Sequence, residues 1–190
     1  MLEACRQNKA WQDKGFDPFC VAVNLSASQF SQPNIIELVT QALDKTGLAP
    51  QYLELEITES AMMNDMELVI KNLEALHGLG VKLAIDDFGT GYSSLSYLKR
   101  LPIDKLKVDK SFVDDISRDS DDGAIVATII DMAHNLKIGV IAEGVETETQ
   151  LQYLRDKKCE EVQGYYFSKP LAVDLLESYM FNKGMYSSST

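Results

Sequence analysis

The chain has 190 residues, of which 45% are hydrophobic and 25% charged, and its formal net charge is −11. This composition is typical of one globular domain with its own core, and the negative charge argues against binding a nucleic-acid polymer or an anionic membrane. Neither a membrane-spanning apolar run nor a secretory signal is recognised. Cys5, Cys20 and Cys159 form no CxxC pair, so we expect no disulfide framework and a reducing, cytoplasmic setting.

Short apolar segments typical of β-strands alternate along the chain with amphipathic helical segments. Strands are predicted at Cys20–Leu25, Leu53–Thr58, Lys82–Phe88, Lys105–Asp109, Gly139–Gly144 and Glu161–Phe167. Between the first two, apolar residues recur at helical spacing, at Ile35, Leu38, Val39, Ala42 and Leu43. Strict alternation of strand and helix predicts a parallel sheet covered by helices, either open and doubly wound or closed into a barrel.

Polar residues at the ends of the predicted strands decide between these two folds. In chain order they are Asn24, Glu56, Asp86 with Asp87, Lys107 with Asp109, Glu143 and Gln163. Groups on every successive strand converge only if the sheet closes, because a barrel brings all carboxyl strand ends to one rim. The sequence therefore predicts an α/β fold of the TIM-like (β/α) barrel type. Since eight units need about 250 residues, we expect an incomplete barrel with about six of eight strands.

The second predicted strand shows which of its faces carries charge. Leu53, Leu55 and Ile57 alternate with Glu54 and Glu56. We expect the apolar face to meet the helices and the glutamates to point into the barrel. Because a buried carboxylate without a partner is very costly, these acids need a cation, water or a metal ion.

Five acids crowd the predicted rim, namely Glu56, Asp86, Asp87, Asp109 and Glu143. One acid at a strand end is more often a helix cap or an ion-pair partner, but the set favours metal binding. Carboxylates at short range repel one another, and divalent cations relieve the repulsion. Oxygen ligands without Cys or His favour Mg²⁺ or Mn²⁺, and the adjacent pair Asp86-Asp87 suits two ions. Two such ions favour attack of water on a phosphodiester.

Three neighbouring features each allow two interpretations. Lys107 either forms an ion pair inside the barrel with Glu54, Glu56 or Asp109, or orients the attacking water or the phosphate. The glycine-rich segment from Asp86 to Ser94 is either an ordinary turn capped by Ser93 or Ser94, or a movable active-site loop. Glu59 either begins a helix or anchors that loop.

Several motifs follow one another in a recognisable order. They are Val23-Asn24-Leu25-Ser26, Glu56-Ile57-Thr58-Glu59, Asp86-Asp87-Phe88-Gly89-Thr90-Gly91-Tyr92-Ser93-Ser94, Lys107-Val108-Asp109, Glu143-Gly144-Val145-Glu146 and Gln163-Gly164-Tyr165-Tyr166-Phe167-Ser168-Lys169-Pro170. This succession, which runs to about Tyr179, strongly resembles the EAL-domain family of cyclic di-GMP phosphodiesterases. The resemblance implies a TIM-like barrel with one antiparallel strand. It also implies hydrolysis of cyclic di-GMP to linear pGpG with two Mg²⁺ or Mn²⁺ ions.

The resemblance also implies a role for each matching residue. The residues that match metal-site positions are Asn24, Glu56, Asp86, Asp87, Asp109 and Glu143. Lys107 matches the lysine near the nucleophilic water, and Gln163 a residue that positions water or metal. Glu59 matches the glutamate that fixes the loop beginning at the second aspartate. Glu146 and Tyr165 match contacts to guanine.

The resemblance further indicates how the chain is organised. Residues 1–181 are expected to be an EAL-type domain lacking its N-terminal strands, and residues 182–190 a C-terminal tail. The Glu-Ala-Leu signature that names the family is expected to be absent from this chain and to lie in the missing part. Its glutamate is a metal ligand, and a phosphate-contacting arginine follows it. We therefore expect residues 1–190 alone to hydrolyse little cyclic di-GMP. The expected setting is the bacterial cytoplasm, in a parent protein that also carries upstream sensory or GGDEF domains. We expect this domain to make no contact with a membrane. A homodimer is one option for its oligomeric state.

Two other functions compete with this interpretation. One is a non-catalytic cyclic di-GMP sensor, but such sensors usually lose the downstream acids that this chain keeps. The other is an enolase-like lyase that uses a lysine base and one or two metal ions. The long motif from Asp86 to Ser94 argues against the lyase.

Overall fold

The computed structural model describes residues 1–62, 66–91, 95–114, 116 and 120–185, with only the backbone at 120–122. Within these ranges the strands are β1 Val21–Leu25, β2 Leu53–Thr58, β3 Lys82–Phe88, β4 Lys105–Val108, β5 Gly139–Ala142 and β6 Glu161–Val162. The α-helices are α1 Leu2–Asp13, α2 Ala27–Phe30, α3 Ile35–Thr46, α4 Met66–Gly78, α5 Leu95–Leu98, α6 Lys110–Asp114, α7 Ser120–Leu136, α8 Glu148–Asp156 and α9 Val173–Asn182. Short 3₁₀ helices span Pro50–Tyr52 and Glu59–Met62.

The strands form one parallel sheet in chain order, from β1 to β6. Helices alternate with the strands, and the sheet is a half-barrel, so the predicted incomplete (β/α) barrel is confirmed. Among the described residues β1 pairs only with β2, and β6 pairs only with β5. The register places Asn24 opposite Glu56 and Thr58 opposite Asp86. The carboxyl ends of successive strands therefore lie side by side.

The apolar face of β2 is buried as predicted. Leu53, Leu55 and Ile57 are at most 1% exposed and belong to the main core cluster. The helices α3, α4 and α7 contribute apolar side chains to the same cluster. Glu54 and Glu56 point to the other face and are also buried, at 6% exposure each. The predicted orientation of this strand is therefore correct on both faces.

Strands β2 and β3 have the predicted bounds, whereas β5 and β6 end earlier than predicted. Gly144 has a φ of +74°, a left-handed conformation that turns the chain away from the sheet after β5. A Cβ at Gly164 would lie 2.1 Å from the carbonyl oxygen of Val145. The chain after β6 therefore passes directly over the loop after β5.

The two terminal helices are tied together outside the main core. The Trp11 indole N–H donates to Glu177 Oε1 at 2.9 Å, and Lys14 Nζ lies 2.6 Å from the same oxygen. Met180 packs with Trp11 and Phe16 in a small separate cluster. Helix α9 thus belongs with the rest of the fold, while the domain limit at residue 181 stays a prediction. Residues 186–190 of the expected tail lie outside the described residues.

The chain does contain a Glu-Ala-Leu tripeptide, at residues 74–76, so the expectation that these letters are absent is wrong. The tripeptide lies inside α4, where Glu74 is exposed and Leu76 is buried in the core. Glu74 is on an outer helix and not at a strand end, so it cannot join the acids of the rim. No helix within the described ranges is both long enough and apolar enough to cross a membrane.

Candidate active site

The candidate site lies at the carboxyl ends of β1 to β5. Asn24, Glu56 and Asp86 project from three adjacent strands, and Lys107 projects from the fourth. Glu143 follows β5 directly, and its backbone N–H donates to the carbonyl of Val108 at 3.1 Å. The parallel register brings these side chains to one rim, which is where barrel enzymes place their chemistry.

Lys107 joins three carboxylates at the centre of this rim. Its Nζ lies 2.8 Å from Glu56 Oε2, 2.9 Å from Asp86 Oδ1 and 2.7 Å from Glu143 Oε1. Its side chain is only 4% exposed. Burial by itself lowers the pKa of Lys107, but the hydrogen bonds to these acids outweigh it and raise the pKa. Lys107 is therefore an ammonium ion throughout the physiological pH range.

The amide of Asn24 faces two of the same acids. The side-chain oxygen of Asn24 faces Glu56 Oε2 and Asp86 Oδ2, as a metal ligand would, and with the amide turned over Nδ2 would donate to them at 3.2 Å and 3.0 Å. The other Asp86 oxygen also accepts from the backbone N–H of Asp87 at 3.1 Å. Asp86 thus accepts from Lys107 and from the backbone of Asp87, and its second oxygen faces the Asn24 amide.

Asp86, Asp87 and Glu143 form a cluster able to hold a cation. Each offers a carboxylate oxygen, and these oxygens lie within 4.8 Å of one another. Burial raises the pKa of Glu56, and burial with the negative charges of Asp86 and Asp109 raises the pKa of Asp87. Such crowding disfavours ionisation in the absence of a cation. The oxygen-only donor set fits a hard divalent ion such as Mg²⁺ or Mn²⁺.

Asp109 lies beside this cluster. A hydrogen bond joins its side chain to that of Asp87. Its Oδ1 also accepts from the Ser111 hydroxyl and, at 2.9 Å, from the Ser111 backbone N–H. Although burial would raise the pKa of Asp109, these hydrogen bonds from Ser111 lower it. The pKa is therefore raised at Asp87 and lowered at Asp109, although the two carboxyl groups are neighbours.

Glu59 holds the start of the loop that follows β3. Its Oε2 accepts hydrogen bonds from the backbone N–H groups of Gly89 at 3.0 Å and Gly91 at 3.1 Å. The residue is only 2% exposed. Asp87, just before this loop, has a φ of +53°, which is uncommon for a residue with a side chain. Tyr92, Ser93 and Ser94, and with them the predicted serine cap, lie outside the described residues.

Gln163 is set apart from the network around Lys107. It follows β6, is exposed, and lines a cavity of about 510 Å³ together with Tyr165, Phe167 and Leu176. The structure thus brings five of the six predicted strand ends into one set of contacts and places Gln163 beside a neighbouring cavity.

The two predicted guanine contacts lie further out on the same rim. Glu146 pairs with Lys110, whose Nζ lies 2.5 Å from Glu146 Oε1. Tyr165 is 57% exposed, and the ammonium of Lys169 lies 5.7 Å from its ring centroid. Both side chains are therefore accessible to a ligand.

Sequence reasoning missed Gln150, which organises the loop after Glu143. Its Oε1 accepts from the backbone N–H groups of Glu146 at 2.8 Å and Thr147 at 2.9 Å. Its Nε2 donates to the carbonyl of Val113 at 3.1 Å, which links α8 to α6. The spacing Thr147-x-x-Gln150 is a capping box, so this signal was present in the sequence.

Comparison with known proteins gives concordant results. A family model described as "EAL domain" matches residues 1–170. The cyclic di-GMP phosphodiesterase NbdA of Pseudomonas aeruginosa is 49% identical over 180 residues, which cover 95% of this chain and 23% of NbdA. The bifunctional diguanylate cyclase/cyclic di-GMP phosphodiesterase MucR of the same species is 45% identical over 92% of this chain. The chain spans only about a fifth to a quarter of the length of such curated relatives.

Solved structures agree with this result. The PaMucR phosphodiesterase in its c-di-GMP complex matches with a TM-score of 0.90 and 44% identity, over 92% of this chain and 71% of that one. The manganese/cy-diGMP complex of BlrP1 from Klebsiella pneumoniae matches with a TM-score of 0.77 and 37% identity, over 89% of this chain and 44% of that one. With the family model covering most of its length, this chain belongs to the EAL domain family.

Proposed function

We propose that this chain forms the metal-binding rim of a phosphodiesterase domain that hydrolyses cyclic di-GMP to pGpG with two Mg²⁺ or Mn²⁺ ions. The observation that carries the proposal is the convergence of Glu56, Asp86 and Glu143 on one buried lysine at the carboxyl strand ends. The names of NbdA and MucR and the ligands of the solved relatives supply the substrate.

The residues proposed to hold the ions are Asn24, Glu56, Asp86, Asp87, Asp109 and Glu143. Divalent ions at such a site lower the pKa of bound water and stabilise charge on the phosphate oxygens. The protein side chains would fix the positions at which this occurs, because Glu56 and Asp86 are buried and both accept hydrogen bonds from Lys107.

Lys107 contributes a fixed positive charge and not a base. Since its pKa is raised, its ammonium cannot accept the proton of the attacking water. We assign it to orienting the water or the phosphate, with Gln163 as a second positioning group. In the overall reaction one water adds to phosphorus, the bond from phosphorus to the 3′ oxygen breaks, and that oxygen leaves with a proton. We propose that a carboxylate of the rim accepts the proton that the water loses and that a proton is returned to the departing 3′ oxygen, so that the water supplies both the new oxygen on phosphorus and the proton on the leaving group.

Glu59 is proposed to position Asp87 through the loop after β3. Its hydrogen bonds to Gly89 and Gly91 fix the backbone that leaves Asp87. Glu146 and Tyr165 are proposed to bind guanine, since a carboxylate accepts from the N–H groups of guanine and a tyrosine ring stacks on the base. Both are exposed on the same rim as the acids.

We further propose that the active form is a longer protein. Both edges of the described sheet are unpaired, and the curated relatives are several times longer than this chain. The additional parts are proposed to include strands that complete the barrel and upstream sensory or GGDEF domains.

The test is product analysis with an extended domain, made by joining the N-terminal part of a related EAL domain ahead of Met1. Incubation with cyclic di-GMP and Mn²⁺, followed by chromatography, is expected to show pGpG, and excess EDTA is expected to prevent its formation. Binding of cyclic di-GMP without any pGpG would favour the sensor and contradict the proposal. Neither binding nor pGpG would contradict both.

A further inference from the structure

Lys110 joins two neighbouring loops of the rim. It directly follows Asp109 and is the first residue of α6, so its backbone position is set by the end of β4. Its Nζ lies 2.5 Å from Glu146 Oε1, in the loop after β5, and 3.9 Å from Asp114 Oδ1, one turn further along α6. The closer partner of Lys110 is therefore the residue on the other loop and not the neighbour on its own helix.

The side chain of Lys110 has a defined course between these loops. A Cβ added to Gly144 would lie 2.2 Å from Lys110 Cγ and 2.7 Å from its Cδ. The methylene groups of Lys110 thus lie directly on the Gly144 backbone, where a side chain at position 144 would overlap with them. Although the Lys110 side chain is 47% exposed, its apolar part is packed and only its ammonium reaches Glu146 through solvent-accessible space.

The loop that carries Glu146 is fixed against the loop that carries Tyr165. The Val145 N–H donates to the carbonyl of Gln163 at 3.0 Å, and the Tyr166 N–H donates to the carbonyl of Val145 at 2.9 Å. The backbones of the two proposed guanine contacts are therefore held relative to each other. What remains to be set is the direction of the Glu146 side chain.

Lys110 engages one oxygen of that side chain and leaves the other accessible. The hydrogen bond is to Oε1, and no hydrogen bond reaches Glu146 Oε2 within the part of the chain that the structure describes. The side chain is 43% exposed, so a ligand can approach it. A carboxylate only accepts hydrogen bonds, which matches the N1–H and N2–H donors of guanine and mismatches the acceptor at N1 of adenine.

We propose that Lys110 is a positioning residue for guanine recognition, which holds Glu146 Oε1 and thereby directs Oε2 at the base. The inference rests on the proposed function, in which Glu146 binds guanine, and adds the group that sets the direction of its side chain. Without this partner, the exposed glutamate has to be ordered when the substrate binds, and that ordering weakens binding. Because an exposed ion pair contributes little to folding, the effect is expected in substrate affinity and not in stability.

The test is steady-state hydrolysis of cyclic di-GMP by the extended domain carrying Lys110→Met, whose unbranched side chain can still lie on Gly144. We expect KM to rise about threefold to tenfold, the effect of leaving one side chain unordered, while kcat stays within about twofold. Lys110→Arg, which keeps the charge and the reach, should restore KM. The matched control is Lys82→Met, which removes a lysine that is 45% exposed and lies 2.7 Å from Asp104 at the amino end of β3. Its KM should be unchanged.

A double-mutant cycle shows whether Lys110 acts through Glu146. In a Glu146→Ala background, Lys110→Met should have no further effect on KM, because the carboxylate that it positions is gone. Competition by cyclic di-AMP is a second check, and Lys110→Met should leave its inhibition constant within about twofold, since adenine offers no N1–H to Glu146. An equal rise of KM in the Glu146→Ala background, or equal weakening of both dinucleotides, would show that the ammonium attracts the phosphates directly and would contradict the proposal.

The outcomes separate this inference from the proposed function. If the unsubstituted extended domain forms pGpG and Lys110→Met keeps its KM, the positioning role is wrong and the proposed function stands. A loss of kcat at constant KM would likewise contradict the positioning role. If the extended domain binds cyclic di-GMP without hydrolysing it, the proposed function is wrong, and the Kd replaces KM in each comparison. If it neither binds nor hydrolyses cyclic di-GMP, both are wrong.

Discussion

Glu59 and Gly91 fit against each other with no room for a side chain at position 91. The Gly91 backbone N–H donates to Glu59 Oε2 at 3.1 Å, and a Cβ at this glycine would lie 2.9 Å from Glu59 Cδ. The Glu59 carboxylate, which holds the loop after β3, thus packs directly against the backbone of that loop. Any substitution at position 91 must therefore move either Glu59 or the loop.

Gly91→Ala in the extended domain is expected to lower the rate of cyclic di-GMP hydrolysis by about tenfold to hundredfold, because small displacements at a reacting site are costly. Gly78→Ala is the matched control, since a Cβ there meets nothing within 4 Å. This control should keep full activity and raise stability by about 0.5–1 kcal/mol, as Ala replaces Gly in a helix. Steady-state rates and thermal unfolding measure both effects. Full activity in Gly91→Ala would show that the contact with Glu59 does not set the loop.

Glu56→Gln is expected to abolish tight Mn²⁺ binding and to lower turnover by more than about a hundredfold, since a proposed ligand is lost. Glu54→Gln is the matched control on the same strand and face. Glu54 is equally buried but faces Lys105 at the amino end of the sheet. Its substitution should lower the Tm while Mn²⁺ binding, measured by titration calorimetry, stays unchanged. Equal loss of Mn²⁺ binding in the two variants would argue against a site localised at the carboxyl ends.

The period-two pattern of β2 was sufficient to predict both its buried leucine face and its inward glutamates. The strand ends likewise predicted the rim, because parallel strands in register place their carboxyl ends together. Two of the three partners of Lys107, namely Asp86 and Glu143, were not predicted, since they reach it from neighbouring strands that are distant in sequence. Sequence reasoning considered Glu54, Glu56 and Asp109, and of these only Glu56 is a partner.

The end of β6 and the role of Gln150 were missed for different reasons. The strand ends just before Gly164 passes over the backbone of Val145, a long-range contact without a local signal. Gln150 belonged to a recognisable capping box, but its bond to Val113 depends on how α8 packs beside α6.

Acid should release α9 from α1 through Glu177. The hydrogen bond from Lys14, with a further one from the Trp11 indole, lowers the pKa of this carboxyl below its usual value. Its contribution to stability is therefore present above the unfolded-state value of 4.5 and is lost as the pH falls through the lowered pKa. Trp11, the one tryptophan of the chain, reports this event by its fluorescence. At neutral pH, Glu177→Gln should already show the Trp11 fluorescence that the unsubstituted chain shows in acid. Its fluorescence should also change less than that of the unsubstituted chain below pH 4.5. An unaltered pH profile of the fluorescence would contradict the assignment.

Residues 1–190 alone are expected to self-associate. The described sheet has two unpaired edges, and large apolar side chains such as Leu175 and Phe181 are about 60% exposed. Size-exclusion chromatography with light scattering should show oligomers for this chain and a smaller, defined species for the extended domain. A stable monomer of residues 1–190 would contradict this expectation.

The central claim is that the strand-end acids support metal-dependent hydrolysis of cyclic di-GMP. The most direct test is the rate of pGpG formation by the extended domain in Mn²⁺, with and without Asp86→Asn, a substitution that removes the charge but nearly keeps the shape. The account predicts rapid formation of pGpG by the unsubstituted domain, none in EDTA, and a rate lower by more than about a hundredfold for Asp86→Asn. An unchanged rate in Asp86→Asn, or full activity in EDTA, would contradict it.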